Sequence, residues 1–162
     1  MRIRPAVPAD LPALLEIYNE AVVHTTASWD LAPWTPVEHA EWYATKAEHR
    51  HPILVADAEG EVLGYSAYGP FRPKAGYAAT MEHSVYVRPG HQGKGIGRTL
   101  LVAVIEAARA NGVHALIGGL SSDNEVSMRL HHSLGFVEVG RLPEVGRKFD
   151  RWLDLVLLQL IL

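Results

Sequence analysis

The stretch from Thr80 to Leu101 limits what this chain can fold into more than any other. Ser84, Val85, Tyr86 and Val87 end a β-favouring run that begins at Thr80. Pro89 and Gly90 stop it, because proline fixes φ and glycine permits a turn. Gln92, Gly93, Lys94, Gly95, Ile96, Gly97 and Arg98 follow, and Ile96, Leu100, Leu101, Val104, Ile105 and Ala108 then recur at helical spacing. The spacing predicts a strand, a Gly-rich turn and a helix starting near Gly95. Without Cβ atoms in the way, backbone N–H groups at such a helix start can touch a phosphate, and the helix dipole adds partial positive charge there. Arg88, His91, Lys94 and Arg98 surround the turn, and no Asp or Glu lies between Ser84 and Ala103. The pattern describes an anion site, best suited to a pyrophosphate.

Two familiar phosphate motifs do not fit. A P-loop needs Gly-Lys followed by Ser or Thr, whereas Gly95 follows Lys94, and Arg88 stands where its first glycine belongs. The dinucleotide fingerprint needs a third glycine where Arg98 stands, and it belongs at a first βα turn rather than mid-chain. Gln-x-x-Gly-x-Gly does fit, at Gln92, Gly95 and Gly97.

Composition narrows the class. The 162 residues suffice for one domain with a substantial core, and 48% hydrophobic with 20% charged residues is an ordinary globular balance. A net charge of −3 gives no reason to expect nucleic acid or an anionic membrane surface as partner. The absence of cysteine removes disulfides, thiolate metal sites and a Cys nucleophile together. Nine histidines are present without a His-x-x-x-His spacing beside a carboxylate, so no metal site is expected. Met1 to Asp10 lacks an apolar leader core, and the apolar run Leu155 to Leu162 is too short to span a bilayer. A cytoplasmic location is the expectation.

In chain order, Arg2 to Pro5 is a short strand. Asp10 is placed to cap a helix from Leu11 to Val23. Thr35, Pro36 and Glu38 read as N-cap, N1 and N3 of a helix reaching His49. Ile53 to Ala56 and Val62 to Tyr68 are strands joined at Glu59-Gly60, and Gly69 to Gly76 is a loop. After the central strand and helix come a strand from Ala115 to Leu120 and a helix opened by Asn124, running through Leu134 and ended by Gly135. A strand from Phe136 to Arg141, a loop from Pro143 to Asp150 and an apolar strand from Trp152 to Leu162 complete the chain. The order β-α-α-β-β-β-α-β-α-β-β predicts an α/β (α+β) fold, with a mixed seven-stranded sheet covered by four helices on both faces.

The Gln92/Gly95/Gly97 loop after Val85-Tyr86-Val87, with Gly135-Phe136 after Arg129-Leu130-His131, resembles the acetyl-CoA loop and later signature of the GCN5-related N-acetyltransferases, the GNAT superfamily. The likeness covers essentially residues 1–162 as one domain. Ile17-Tyr18-Asn19, the Thr-rich loop with Trp29, the strand Glu82 to Val87, and Lys148-Phe149 with Trp152 and Asp154 are similar to the phosphinothricin and methionine sulfone or sulfoximine N-acetyltransferases. The resemblance implies acetyl-CoA as co-substrate, no metal, a homodimer, and direct acetyl transfer to the α-amine of a small amino acid through a tetrahedral intermediate. Acetylation of a protein or peptide amine, and a non-catalytic acyl-CoA sensor on the same fold, are the alternatives.

Acetyl transfer needs an amine without its extra proton, donors for a developing oxyanion, and reactants held in line. Glu82 is the candidate general base, directly or through water, with a pKa expected to rise in an apolar strand. The resemblance implies the Val85 N–H as oxyanion donor, and cofactor contacts from Val85, Tyr86 and Val87, from Gln92 through Arg98 (Gly93, Lys94, Gly95, Ile96 and Gly97 between them), and from Asn124 and Ser127. His131 stands where many relatives carry a tyrosine general acid, and an imidazole could give a proton to the thiolate or serve only as structure. Arg72 and Lys74 are candidate partners for a substrate carboxylate, with Pro73 between them. Trp29, Phe71, His83, Ser84, Lys148 and Phe149 complete the expected acceptor pocket. The long final strand suits a symmetric dimer.

Overall fold

A computed structural model describes all residues from Met1 to Leu162. Seven strands form one sheet in the order β1-β2-β3-β4-β5-β7-β6. They are β1 (Arg2–Pro5), β2 (Ile53–Ala58), β3 (Glu61–Pro70), β4 (Thr80–Val87), β5 (Ala115–Ser121), β6 (Val137–Lys148) and β7 (Arg151–Ile161). The helices are α1 (Leu11–His24), α2 (Pro36–Glu48), α3 (Ile96–Ala110) and α4 (Glu125–His132). The observed element order is the expected one. Only the β4–β5 pair is parallel; every other neighbouring pair runs antiparallel.

Both faces of the sheet are covered, because side chains alternate along its strands. On β3, Tyr65 and Ala67 pack with Leu14 and Ile17 of α1. Ser66 points the other way and donates to the Leu100 carbonyl of α3, while Tyr68 joins Leu101, Val104, Ile105 and Phe136 on that second face. The helix α2 begins as its sequence dictates. The Glu38 N–H donates to Thr35 Oγ1, and the Thr35 N–H donates back to the Glu38 carboxylate at 2.7 Å.

Three expectations change. Asp10 does not cap α1: its carboxylate accepts from the Val7 N–H and pairs with Arg4 at 2.7 Å. The charged partner competes successfully for both oxygens. The helix after Asn124 ends at His132, two residues before Leu134. Finally, Pro143 to Asp150 is not a loop. β6 continues to Lys148 and turns back through Phe149 and Asp150 alone, both at positive φ. Pro143, Glu144 and Val145 form a bulge: Leu142 faces Leu155 and Gly146 faces Leu153. The Glu144 N–H is taken by the Asp154 carboxylate. A proline fits there because β6 is an edge strand and a bulge residue owes no ladder bond.

The decisive irregularity lies between β4 and β5. Their register runs only over Thr80–Glu82 against Ala115–Ile117. From His83 onward β4 keeps its β3 partner, through to Val87 opposite Gly64, but has lost β5. A wedge therefore opens in the middle of the sheet.

Candidate active site

Backbone direction in the wedge follows from one bond. The Arg88 N–H donates to the Leu63 carbonyl of β3. Successive N–H groups of a strand point to opposite edges, so those of Val87 and Val85 point away from β3 into the gap that β5 vacates. They are backbone donors without a strand partner on that side.

Two cavities meet along this gap. One, of about 550 Å³, runs from Val85 to Val87 over Gln92, Gly93, Gly95, Gly97 and Arg98 to Asn124, Ser127 and Leu130. The other, of about 390 Å³, lies over Gly69, Pro70 and Glu82 to Tyr86 of the neighbouring strands, with Lys46, Ala27 and Gly118 to Ser121 closing it. Ala27, Val85, Tyr86, Asn124, Ser127 and His131 line both.

The turn at the end of the larger cavity has the expected character. Gly93 and Gly95 adopt φ of 76° and 81°, left-handed values that glycine accepts without strain. Gly95 is the N-cap of α3 and offers no side chain, so the first N–H groups of that helix stay open to a ligand. Ile96 contributes only its backbone, because its side chain packs into the core with Leu63 and Leu100. Lys94 and Arg98 are exposed at the turn, and Arg98 also reaches Ser133 Oγ at 2.9 Å. Arg88 does not take part: it pairs with Glu16 at 3.0 Å and donates to the Val62 carbonyl. The donors and the apolar walls suit a pyrophosphate carried on a long flexible arm.

Glu82 is the carboxylate of the smaller cavity. Water reaches it from the cavity side, but protein surrounds it elsewhere. This partial burial raises its pKa, and the charge of Arg72 pulls it part of the way back. One carboxylate oxygen lies over Gly119 of β5, within 3.0 Å of where a Cβ would stand. A side chain at position 119 would therefore displace it.

His83 and His131 form a buried pair behind the junction, with Nε2 atoms 2.9 Å apart. His131 Nδ1 lies 2.7 Å from the Ser127 carbonyl. A carbonyl only accepts, so Nδ1 carries the proton, and Nε2 of the neutral ring accepts from His83. Burial lowers the pKa of both rings, that of His83 to about 3. His131 lines both cavities, but its Nδ1–H is taken by the Ser127 carbonyl and its Nε2 by His83, so the expected proton donor has no free N–H in this arrangement. Asn124 caps α4, its side-chain oxygen accepting the Ser127 N–H at 3.2 Å.

The expected acceptor-pocket residues divide. Glu82, His83 and Ser84 line the smaller cavity. Phe71, Arg72, Pro73 and Lys74 follow Pro70 in the next loop, with the Arg72 guanidinium 5.0 Å from the Phe71 ring centre. Trp29 and Lys148 do not line it. Lys148 is buried and donates to the Thr25 and Ser28 carbonyls, at 2.8 and 2.5 Å. Trp29 packs on Gly146, where any side chain would collide with its ring. These two hold the loop after α1 against β6. Phe149 is exposed and borders a separate shallow cleft with Thr26, Asp123 and Arg151. Sequence reasoning missed Lys46, Ser121 and the Gly118-Gly119 floor. A lone lysine in an amphipathic helix carries no signal of its own, and two adjacent glycines in a strand hinted only at a close approach.

Two cavities that share a wall suit two reactants brought end to end, and the molecule has the architecture of a group-transfer enzyme. Residues 12–136 match the model of the Acetyltransferase (GNAT) family, and the chain belongs to that family, whose co-substrate is acetyl-CoA. It is 52% identical over 159 residues to an L-methionine sulfoximine/L-methionine sulfone acetyltransferase of Pseudomonas aeruginosa, covering 98% of this chain and 92% of that protein. To a phosphinothricin N-acetyltransferase of Streptomyces coelicolor it is 41% identical, covering 95% and 92%. Among solved structures, a ribosomal-protein-alanine N-acetyltransferase from Brucella melitensis superposes with TM-score 0.98 at 49% identity over 100% of both chains. An acetyltransferase from Salmonella typhimurium, solved with acetyl-CoA, superposes with TM-score 0.97 at 46% identity over 99% and 93%.

Proposed function

We propose that the protein acetylates the α-amine of a small amino acid of the methionine sulfone, methionine sulfoximine or phosphinothricin kind, with residues 1–162 acting as one domain. The observation that carries this reading is Glu82, a carboxylate of raised pKa in a cavity of about 390 Å³ that joins the acetyl-CoA cavity at Val85. That volume suits a small ligand. The high identity to the sulfone and sulfoximine acetyltransferase supports the substrate class.

Acetyl-CoA supplies an activated acetyl thioester. The Gly93 to Arg98 turn would hold its pyrophosphate, and the free N–H groups of Val85 and Val87 would orient its arm and carbonyl. Glu82 takes the surplus proton of the acceptor ammonium, directly or through a water. The amine nitrogen then forms a bond to the acetyl carbon, giving a tetrahedral intermediate whose oxyanion the Val85 N–H stabilises; the carbon–sulfur bond breaks with its electron pair going to sulfur, and the proton that the nitrogen sheds as it becomes an amide passes through water to the thiolate. The buried His83–His131 pair positions α4 and the junction wall rather than moving a proton.

The exposed apolar side chains of Val137, Val139, Val145 and Trp152 on β6 and β7 support a homodimer through this edge. No helix is long and apolar enough to cross a membrane, and a small-molecule reaction in the cytoplasm, without nucleic acid or membrane, accords with the composition.

The test is thiol release from acetyl-CoA against methionine sulfone, methionine sulfoximine, phosphinothricin, ordinary amino acids and short peptides. Saturable turnover with the tetrahedral analogues is expected. Turnover confined to peptides would replace this reading with a protein acetyltransferase. Acetyl-CoA binding without any turnover would leave a sensor.

A further inference from the structure

The geometry points to Lys46 as the residue that receives the α-carboxylate of the acceptor. This rests on the small-amino-acid reading above and names its second recognition point.

Lys46 lies near the end of α2, and its ammonium enters the smaller cavity. It donates to the Tyr68 carbonyl at 2.7 Å. It takes part in no ion pair. An ammonium has three donors, so two remain for a ligand. Its position relative to Glu82 is fixed by the sheet. The ammonium fills the space that a side chain at Gly69 would need. Gly69 is the direct cross-strand partner of Glu82, and such partners project from the same face of a sheet, roughly 5 Å apart. The Glu82 carboxylate leans the other way, over Gly119. The floor of the cavity thus carries a positive group on its β3 side and a negative group on its β5 side. A free α-amino acid is the complement, with its ammonium and carboxylate on one carbon. A peptide N-terminus has no carboxylate there. Burial pushes the Lys46 pKa down to about 8, as expected of a cation whose polar partner is a neutral carbonyl. Arg72 is exposed in the loop after β3, close enough for its charge to oppose the rise of the Glu82 pKa.

The experiment compares methionine sulfone with its decarboxylated amine, 3-(methylsulfonyl)propylamine, in the thiol-release assay. The wild-type enzyme is expected to prefer the amino acid. In Lys46→Met this preference collapses by roughly 10- to 100-fold, the size of one charged hydrogen bond, mainly through the KM of the amino acid. Lys46→Arg restores part of it. Should Lys46→Met fail to give a wild-type melting transition, Lys46→Gln takes its place, and Lys46→Arg still reports whether the charge sets the preference. A folded Lys46→Met or Lys46→Gln enzyme that keeps the full wild-type preference overturns the assignment of Lys46 alone. A wild-type enzyme that turns over none of methionine sulfone, methionine sulfoximine and phosphinothricin overturns the small-amino-acid reading and this inference with it.

Discussion

The two cavities share a wall but are built in opposite ways. The larger cavity, which we assign to acetyl-CoA, takes its floor and its Gly-rich turn from one continuous segment, Val85 to Arg98, while α1, the loop after it and α4 supply the walls. The acceptor cavity is assembled from the loop after α1, the end of α2, the end of β3, the middle of β4, the end of β5 and α4 with its cap. A turn made by one strand–turn–helix carries its geometry in local backbone preferences. A site made by six distant segments exists only once the sheet has closed around it. The two should therefore respond separately to substitution, and four experiments can break or sharpen that separation.

The largest effect is expected from Glu82→Gln. Removing the proton acceptor should lower kcat/KM by about 10²- to 10⁴-fold, with the Kd for acetyl-CoA held by the other cavity unchanged in calorimetry. A variant with wild-type turnover would remove Glu82 as base.

Gly95→Val is next. The residue sits at φ 81°, where a β-branched side chain is strained and would stand before the open N–H groups of α3. The Kd for acetyl-CoA should weaken by roughly 10-fold or more, while the acceptor KM stays near wild type. An equal rise in both would mean that the cavities are coupled through α3.

Lys148→Met tests the shared wall. Lys148 holds the Thr25 and Ser28 carbonyls, and the loop it anchors places Ala27 in both cavities. Stability should fall by about 1–3 kcal/mol, because one buried and one part-buried carbonyl lose a charged donor, and both Michaelis constants should rise together. A change confined to the acceptor would show that the loop serves that site only.

The smallest effect is a shift in a pH profile. The pKa of Glu82 is raised, so the neutral acid persists above the usual carboxylate range, and kcat/KM should fall as pH drops through that raised value. Arg72 opposes the rise. Arg72→Ala should therefore move the acidic limb to higher pH. A limb that stays in place would show that Glu82 does not feel Arg72.

The contrast between the cavities also explains what could be read in advance. The turn from Pro89 to Gly97 and the helix after it were legible, because glycine, proline and helical spacing act over a few residues. The α2 cap at Thr35 and Glu38 was legible for the same reason. The bulge at Pro143 to Val145 was not. A proline followed closely by a glycine reads as a loop unless the partner strand is known, and here Asp154 of β7 supplies the bond that keeps β6 going. Trp29 and Lys148 have the chemistry of pocket residues, but they serve to hold the loop after α1, since Gly146 and the Thr25 and Ser28 carbonyls lie behind that loop rather than in the cavity.

Sequence by itself determined the order of elements, the Gly-rich turn before α3 and the carboxylate on the central strand, all set by local conformational preference and hydrophobic period. Tertiary structure alone decided three things. It parted β4 from β5 after Glu82, so that the Val85 and Val87 N–H groups face a gap. It closed both nitrogens of His131 against His83 and Ser127. It brought Lys46, 36 positions before Glu82 in the chain, to the same floor of one cavity. Each depends on where a backbone hydrogen bond ends or where a glycine leaves room, and such positions are fixed only by strands and helices packed against one another.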